Sequence, residues 1–117
     1  MGIRSQKMAQ EAYPLVDKLR DHELESKYRT LALTLPMMIL QSGLSQAVGF
    51  LLAKGKDEHS QLLEHLAKLL GFANGKTLHE EILAVELSEY QLLTRRALDA
   101  SSWLKRYTEA LLNKEGK

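Results

Sequence analysis

The stretch SEYQLLTRRALDASSWLKRYTEALL, residues 88–112, decides the fold class. In it Tyr90, Leu93, Ala97, Ala100, Leu104, Tyr107 and Leu111 recur every three or four residues. That spacing lines one face of an α-helix, and a stripe this long predicts a C-terminal helix that serves as the spine of a bundle. Upstream the helical spacing persists, whereas alternation of period two never does, so the expected class is all-α. A chain of 117 residues with 44% apolar content supplies one core. A single compact domain over 1–117, with about six to seven helices, follows.

Working back toward the N-terminus, Met8, Ala12, Leu15 and Leu19 form a first stripe. Pro14 is expected to kink that helix or shorten its start. Leu24, Tyr28, Leu31 and Leu35 form the second, and Pro36 predicts a break there followed by a short helix over 36–41 that stops at Gly43. A helix over 44–54 should stop at Gly55. Asp57 is the expected N-cap of the next, which carries Leu62, Leu63, Leu66, Leu69 and Leu70 and should end at Gly71. Residues 72–76 read as a loop. Thr77 with Glu80, and Ser88 with Gln91, have the spacing of capping boxes, so a helix is expected to begin at each. The polar tail 114–117 is expected to fray.

Several chemistries are excluded by residue type or spacing. No cysteine is present, which removes disulfides, thiolate zinc sites and cysteine nucleophiles together. No apolar run approaches the length of a bilayer span, and no signal-peptide core follows the first residues, so a cytoplasmic protein without membrane contact is expected. His22, His59, His65 and His79 contain no i, i+4 pair, and they read as exposed or helix-terminal side chains. His79-Glu80-Glu81 lacks the second histidine of a zinc-protease motif, since position 83 is Leu. Gly75-Lys76-Thr77 resembles the end of a phosphate-binding loop, but the position of its first glycine is Leu70 and no strand precedes it; a helix-capping loop is the better reading. Ser45 follows Gly43, but position 47 is Ala, so no nucleophile elbow forms. Glu80, Glu81, Glu86 and Glu89 lack a partnering base and read as a solvated face. No catalytic residue, metal site or cofactor is expected.

Charge is segregated although Lys and Arg total 16 against 15 Asp and Glu. Residues 77–94 carry four acids and no Lys or Arg, while 95–117 carry six Lys or Arg against three acids. On the last helix Arg95, Ser102 and Arg106 share one line, about 100° or more from the apolar stripe, with Lys105 further round. Together they can face a polyanion. Arg4, Lys7 and Lys18 share another face with Glu11 among them, where a solvated surface and an RNA contact are both open readings. Lys54 and Lys56 also complement a helix C-terminus. Trp103 and Tyr107 lie beside Lys105 and Arg106, yet their place at the apolar stripe favours core packing over stacking on bases. Arg96 points to the apolar side, as a subunit contact or a snorkelling side chain.

Two blocks carry a resemblance to a known family. The first is Lys27-Tyr28, Leu35-Pro36-x-x-Ile39 and Ser42-Gly43-Leu44-x-x-Ala47-x-x-Phe50-Leu51-Leu52-Ala53-Lys54; the second is Trp103-Leu104-Lys105-Arg106-Tyr107 with Ala110 and Leu111. They cover about half the chain and resemble the small subunit of type III-B CRISPR (Cmr) RNA-silencing complexes. The resemblance implies a helical bundle without an active site, copies of which stack beside the backbone that holds the guide RNA. Its implied partners are other subunits of the complex, copies of itself, and crRNA and target RNA met through phosphates. Among matched positions Lys27, Lys54, Lys105 and Arg106 are the bases that can meet phosphate; Arg95 and Arg4 join them from the face analysis. A competing expectation is a helical protein–protein adaptor whose exposed bases meet the acidic 77–94 face of another copy, with no RNA contact.

Overall fold

The computed structural model describes residues 3–113, and the tail expected to fray lies outside them. Six α-helices account for nearly all of that span: α1 (Ile3–Asp17), α2 (Glu25–Ser42), α3 (Leu44–Lys54), α4 (Asp57–Leu69), α5 (Gly75–Ala84) and α6 (Leu87–Leu111). All six contribute to one cluster of buried apolar side chains, so the fold is all-α with a long C-terminal helix, as the stripe over 88–112 predicts.

α6 lies along both α1 and α2. Its direction follows from the bonds at its ends. Ser5 and Tyr13 of α1 meet Trp103 and Tyr107 respectively, so α1 and α6 run parallel. Glu25 at the start of α2 meets Asn113, while Ser45, just past the end of α2, meets Tyr90, so α2 and α6 are antiparallel. α4 packs on α2, α3 and α5 and also touches α1 and α6.

The predicted break at Leu35 and Pro36 is absent, and α2 runs through Pro36 for 18 residues. A proline inside a helix loses one hydrogen bond and crowds the carbonyl four residues back, at a cost of about 3 kcal/mol. Here Ala32, Leu35 and Ile39 continue one buried line across it, with none more than 1% exposed. Burying Leu35 and Ile39 contributes roughly 1.5–3 kcal/mol each, enough to outweigh the break. This merger is why six helices form. α1 likewise continues past Pro14, and its start at Ile3 is not shortened. Val16 takes the buried position expected of Leu15, which is only partly covered.

Helix starts depart from the expected caps. Asp57 is the first residue of α4, after Lys56, and acts with Glu58 on the helix dipole. α5 begins at Gly75, with Asn74 Oδ1 accepting from the Thr77 amide at 2.8 Å. Thr77 is therefore the residue being capped. α6 begins at Leu87, one residue before Ser88, without a side-chain cap. α3 is preceded by Gly43, which has no side chain to offer, and the Tyr90 hydroxyl arrives from α6 instead, accepting from the Ser45 amide at 3.0 Å. Gly55 closes α3 in the left-handed conformation, as its position predicts.

Two carboxylates fasten the periphery. Both oxygens of Glu64 accept from the Gly75 amide at 3.1 and 3.0 Å, so the start of α5 already holds an anion of its own. A Cβ at Gly75 would lie 2.7 Å from Leu63 Cγ, which explains the glycine by close approach of α4 and α5. Glu25, only 1% exposed, accepts from the Asp21 amide through one oxygen and from the Asn113 amide through the other, at 3.1 and 2.8 Å.

Candidate nucleic-acid interface

The six basic residues singled out from the sequence lie on different parts of the surface. Lys105, half-buried, and Arg106, exposed, lie in the C-terminal third of α6 and border a shallow hollow with Pro36, Ser102 and Glu109. Ser102 and Arg106 border a second hollow with Ser5, Asp99 and Trp103. Among the described residues no acid forms an ion pair with either base. Arg95 is exposed on the same helix, eleven positions earlier, or about 16 Å along the axis. Lys27 is exposed in the first turn of α2. Lys54 is exposed in the last turn of α3, with its ammonium 5.9 Å from the Phe50 ring centroid, where it also complements the helix dipole.

Arg4 lies elsewhere, in a cleft of about 480 Å3 between the start of α1, the end of α4 and α6. Lys7, Lys68 and Arg96 line it as well, with Glu11 as the acid among the lining side chains. Arg96 donates from a terminal nitrogen to the Leu70 carbonyl at 3.4 Å. Burial, then the charge of Arg4, lowers the Arg96 pKa from its ordinary value. Arg96 Nε is shut away from solvent without a hydrogen-bond partner. The stripe on α6 marked Arg96 as unusual, but nothing local marked Lys68, which reads as a base in the last turn of α4 until the fold sets it beside α1.

The aromatic residues beside these bases are tied to α1. Trp103 Nε1 donates to Ser5 Oγ at 3.0 Å, and the Ser5 hydroxyl is 3.4 Å from Asp99 Oδ1. Trp103 stacks on Tyr107 with ring centroids 5.6 Å apart, and Tyr13 meets Tyr107 edge-on at 5.3 Å. All three rings cover the α1–α6 seam, which fits the packing role favoured from the sequence.

His65 corrects the expectation of exposed histidines. It sits on the buried face of α4, with Nδ1 2.7 Å from the fully buried Tyr28 hydroxyl and Nε2 3.0 Å from the Gln61 amide. Burial, then the charges of Lys68 and Lys18, lowers its pKa to about 4. Burial pushes the Tyr28 phenol upward. His59 is also buried, edge-on to Phe50 with centroids 5.5 Å apart. Among the described residues no three His, Cys, Asp or Glu side chains are grouped to hold a metal ion, and no helix is long and apolar enough to cross a membrane.

The sequence and the fold are similar to those of known proteins. The chain is 41% identical over 112 residues to the CRISPR system Cmr subunit Cmr5 of Thermus thermophilus, covering 96% of this chain and 98% of that one. Its fold is similar to the crystal structure of a CRISPR-associated Cmr5 family protein from the same organism, with a TM-score of 0.91 at 41% identity, over 97% of this chain and 100% of that one. Residues 4–111 match the family of CRISPR-associated proteins described as Cas_Cmr5, and the chain belongs to that family.

Proposed function

We propose that the chain is a non-catalytic structural subunit of a cytoplasmic CRISPR Cmr effector complex. It acts as a single domain that stacks along the backbone holding the crRNA and helps position target RNA. The near full-length match to a Cmr subunit carries this reading. The exposed Arg106 and Arg95 and the half-buried Lys105, all on α6, support phosphate contact on one side. Lys27, Lys54 and Arg4 are further candidates. A few bases per copy give weak, salt-sensitive and sequence-tolerant attraction to phosphate, and repetition of copies multiplies it. Sequence selection is left to pairing with the guide.

The test is recovery of tagged protein from its native cell extract, with and without ribonuclease, reading co-purifying proteins and small RNAs. Cmr subunits together with guide RNA are expected. Recovery of neither by a folded bait would overturn the assignment to a complex. A stack of copies that survives ribonuclease and never captures RNA would instead favour the adaptor reading, in which the exposed bases meet the acidic 77–94 face of another copy.

A further inference from the structure

We infer that the cleft between α1, the end of α4 and α6 is a binding site for the phosphate of a nucleotide unit, held by Arg4, Lys7, Lys68 and Arg96. The site deepens the RNA-contact reading above and rests on it for the source of the phosphate.

The cations reach the cleft from three helices. Arg4, Lys7 and Glu11 follow the three- and four-residue steps of one helix face on α1. Lys68 comes from the last turn of α4, and Arg96 from the side of α6 that packs inward. Four bases against Glu11 leave the cleft strongly positive, and among the described residues none of the four has an acid within ion-pair distance. Like charges held together without a counterion repel, and a bound anion relieves that repulsion. The Leu70 carbonyl at the end of α4 accepts from Arg96, which holds that guanidinium at the wall of the cleft. A guanidinium can present paired donors to phosphate oxygens in a way that a lysine cannot.

The volume of about 480 Å3 exceeds what one phosphate needs and lies within the range of small-ligand sites. Met8 and Leu69 supply apolar wall on which the sugar or base attached to a phosphate can rest. The phosphate can belong to an RNA chain or to a free nucleotide, and the experiment separates the two.

The full-length, isotope-labelled protein is titrated in low salt with three probes: adenosine monophosphate, a single-stranded uracil RNA oligomer, and a peptide of residues 79–89 of this chain. Backbone amide NMR shifts are read around residues 4–8, 68–71 and 96, and separately around 105–106. RNA is expected to shift the cleft amides. Lys7→Glu with Lys68→Glu, both exposed positions, should weaken that binding at least about tenfold, while Lys56→Glu, an exposed base outside the cleft and the α6 group, leaves the cleft shifts in place. RNA that shifts only 105–106, with no response of the cleft to the nucleotide, overturns the cleft and leaves the RNA-contact reading standing. Nucleotide that occupies the cleft while RNA shifts no residue keeps the cleft as a free-nucleotide site and overturns the RNA-contact reading. Occupation by the acidic peptide alone overturns the phosphate assignment in favour of a protein ligand.

Discussion

Burial holds the His65 imidazole at a pKa of about 4, with Lys68 and Lys18 acting in the same direction, so the ring is neutral in the fold at pH 7. In the unfolded chain it titrates near 6.5. Between those values the unfolded chain binds the extra proton, and stability therefore rises with pH. The contribution is complete above about pH 6.5 and is lost as pH falls toward 4, by which point the loss amounts to about 3 kcal/mol. Urea unfolding of wild type and His65→Gln at pH 7 and pH 4 checks this: wild type should lose about 3 kcal/mol more than the variant. Equal losses would show that His65 does not change its protonation on unfolding. Gly75→Ala should cost about 1–3 kcal/mol in the same assay, because the new methyl meets Leu63 and Glu64. Neither role was legible in the sequence. His65 offered no spacing that told a buried ring from an exposed one, and Gly75 resembled part of a phosphate loop because the neighbour that demands a glycine comes from another helix.

At the scale of the helices, periodicity revealed what local punctuation concealed. The stripe from Tyr90 to Leu111 gave α6 directly, and Gly55 gave the end of α3, because both signals are complete within a few turns of chain. Pro36 misled because its penalty is local, whereas the burial of Ala32, Leu35 and Ile39 that overrides it comes from α4 and α6. Replacing it tests this account: Pro36→Ala should restore the missing helical bond and stabilise the protein by about 1–2 kcal/mol, after allowing for the more flexible unfolded chain. A raised urea midpoint at an unchanged slope is the expected result, and a lowered midpoint would mean that the ring packs better than the bond it removes. The start of α3 depends on a residue from far along the chain. Tyr90→Phe removes the hydroxyl that caps it and should cost about 0.5–1 kcal/mol, with the loss concentrated in faster amide exchange around 45–47.

For the molecule as a whole, the two matched sequence blocks carried the family, and charge segregation identified the bases on α6. The cleft was only partly legible: Arg4 and Lys7 were visible as one face and Arg96 as an anomaly, but their meeting with Lys68 depends on how α1, α4 and α6 assemble. Reversal of charge at Lys105 and Arg106 should leave the circular-dichroism spectrum unchanged while target-RNA capture by the complex falls and becomes less salt-dependent, by a slope of about one for each phosphate that is no longer neutralised. A collapsed spectrum would show that the two side chains are structural. The Glu25 carboxylate also has a consequence for the birth of the protein. It joins the turn after α1 to Asn113, 88 residues later, and the helix that covers α1 and α2 is the last to be made. During synthesis the first five helices leave the ribosome with their apolar faces uncovered. Closure must wait until α6 has been made, so a nascent chain stalled before α6 should be readily cut by protease and a chain carrying it resistant.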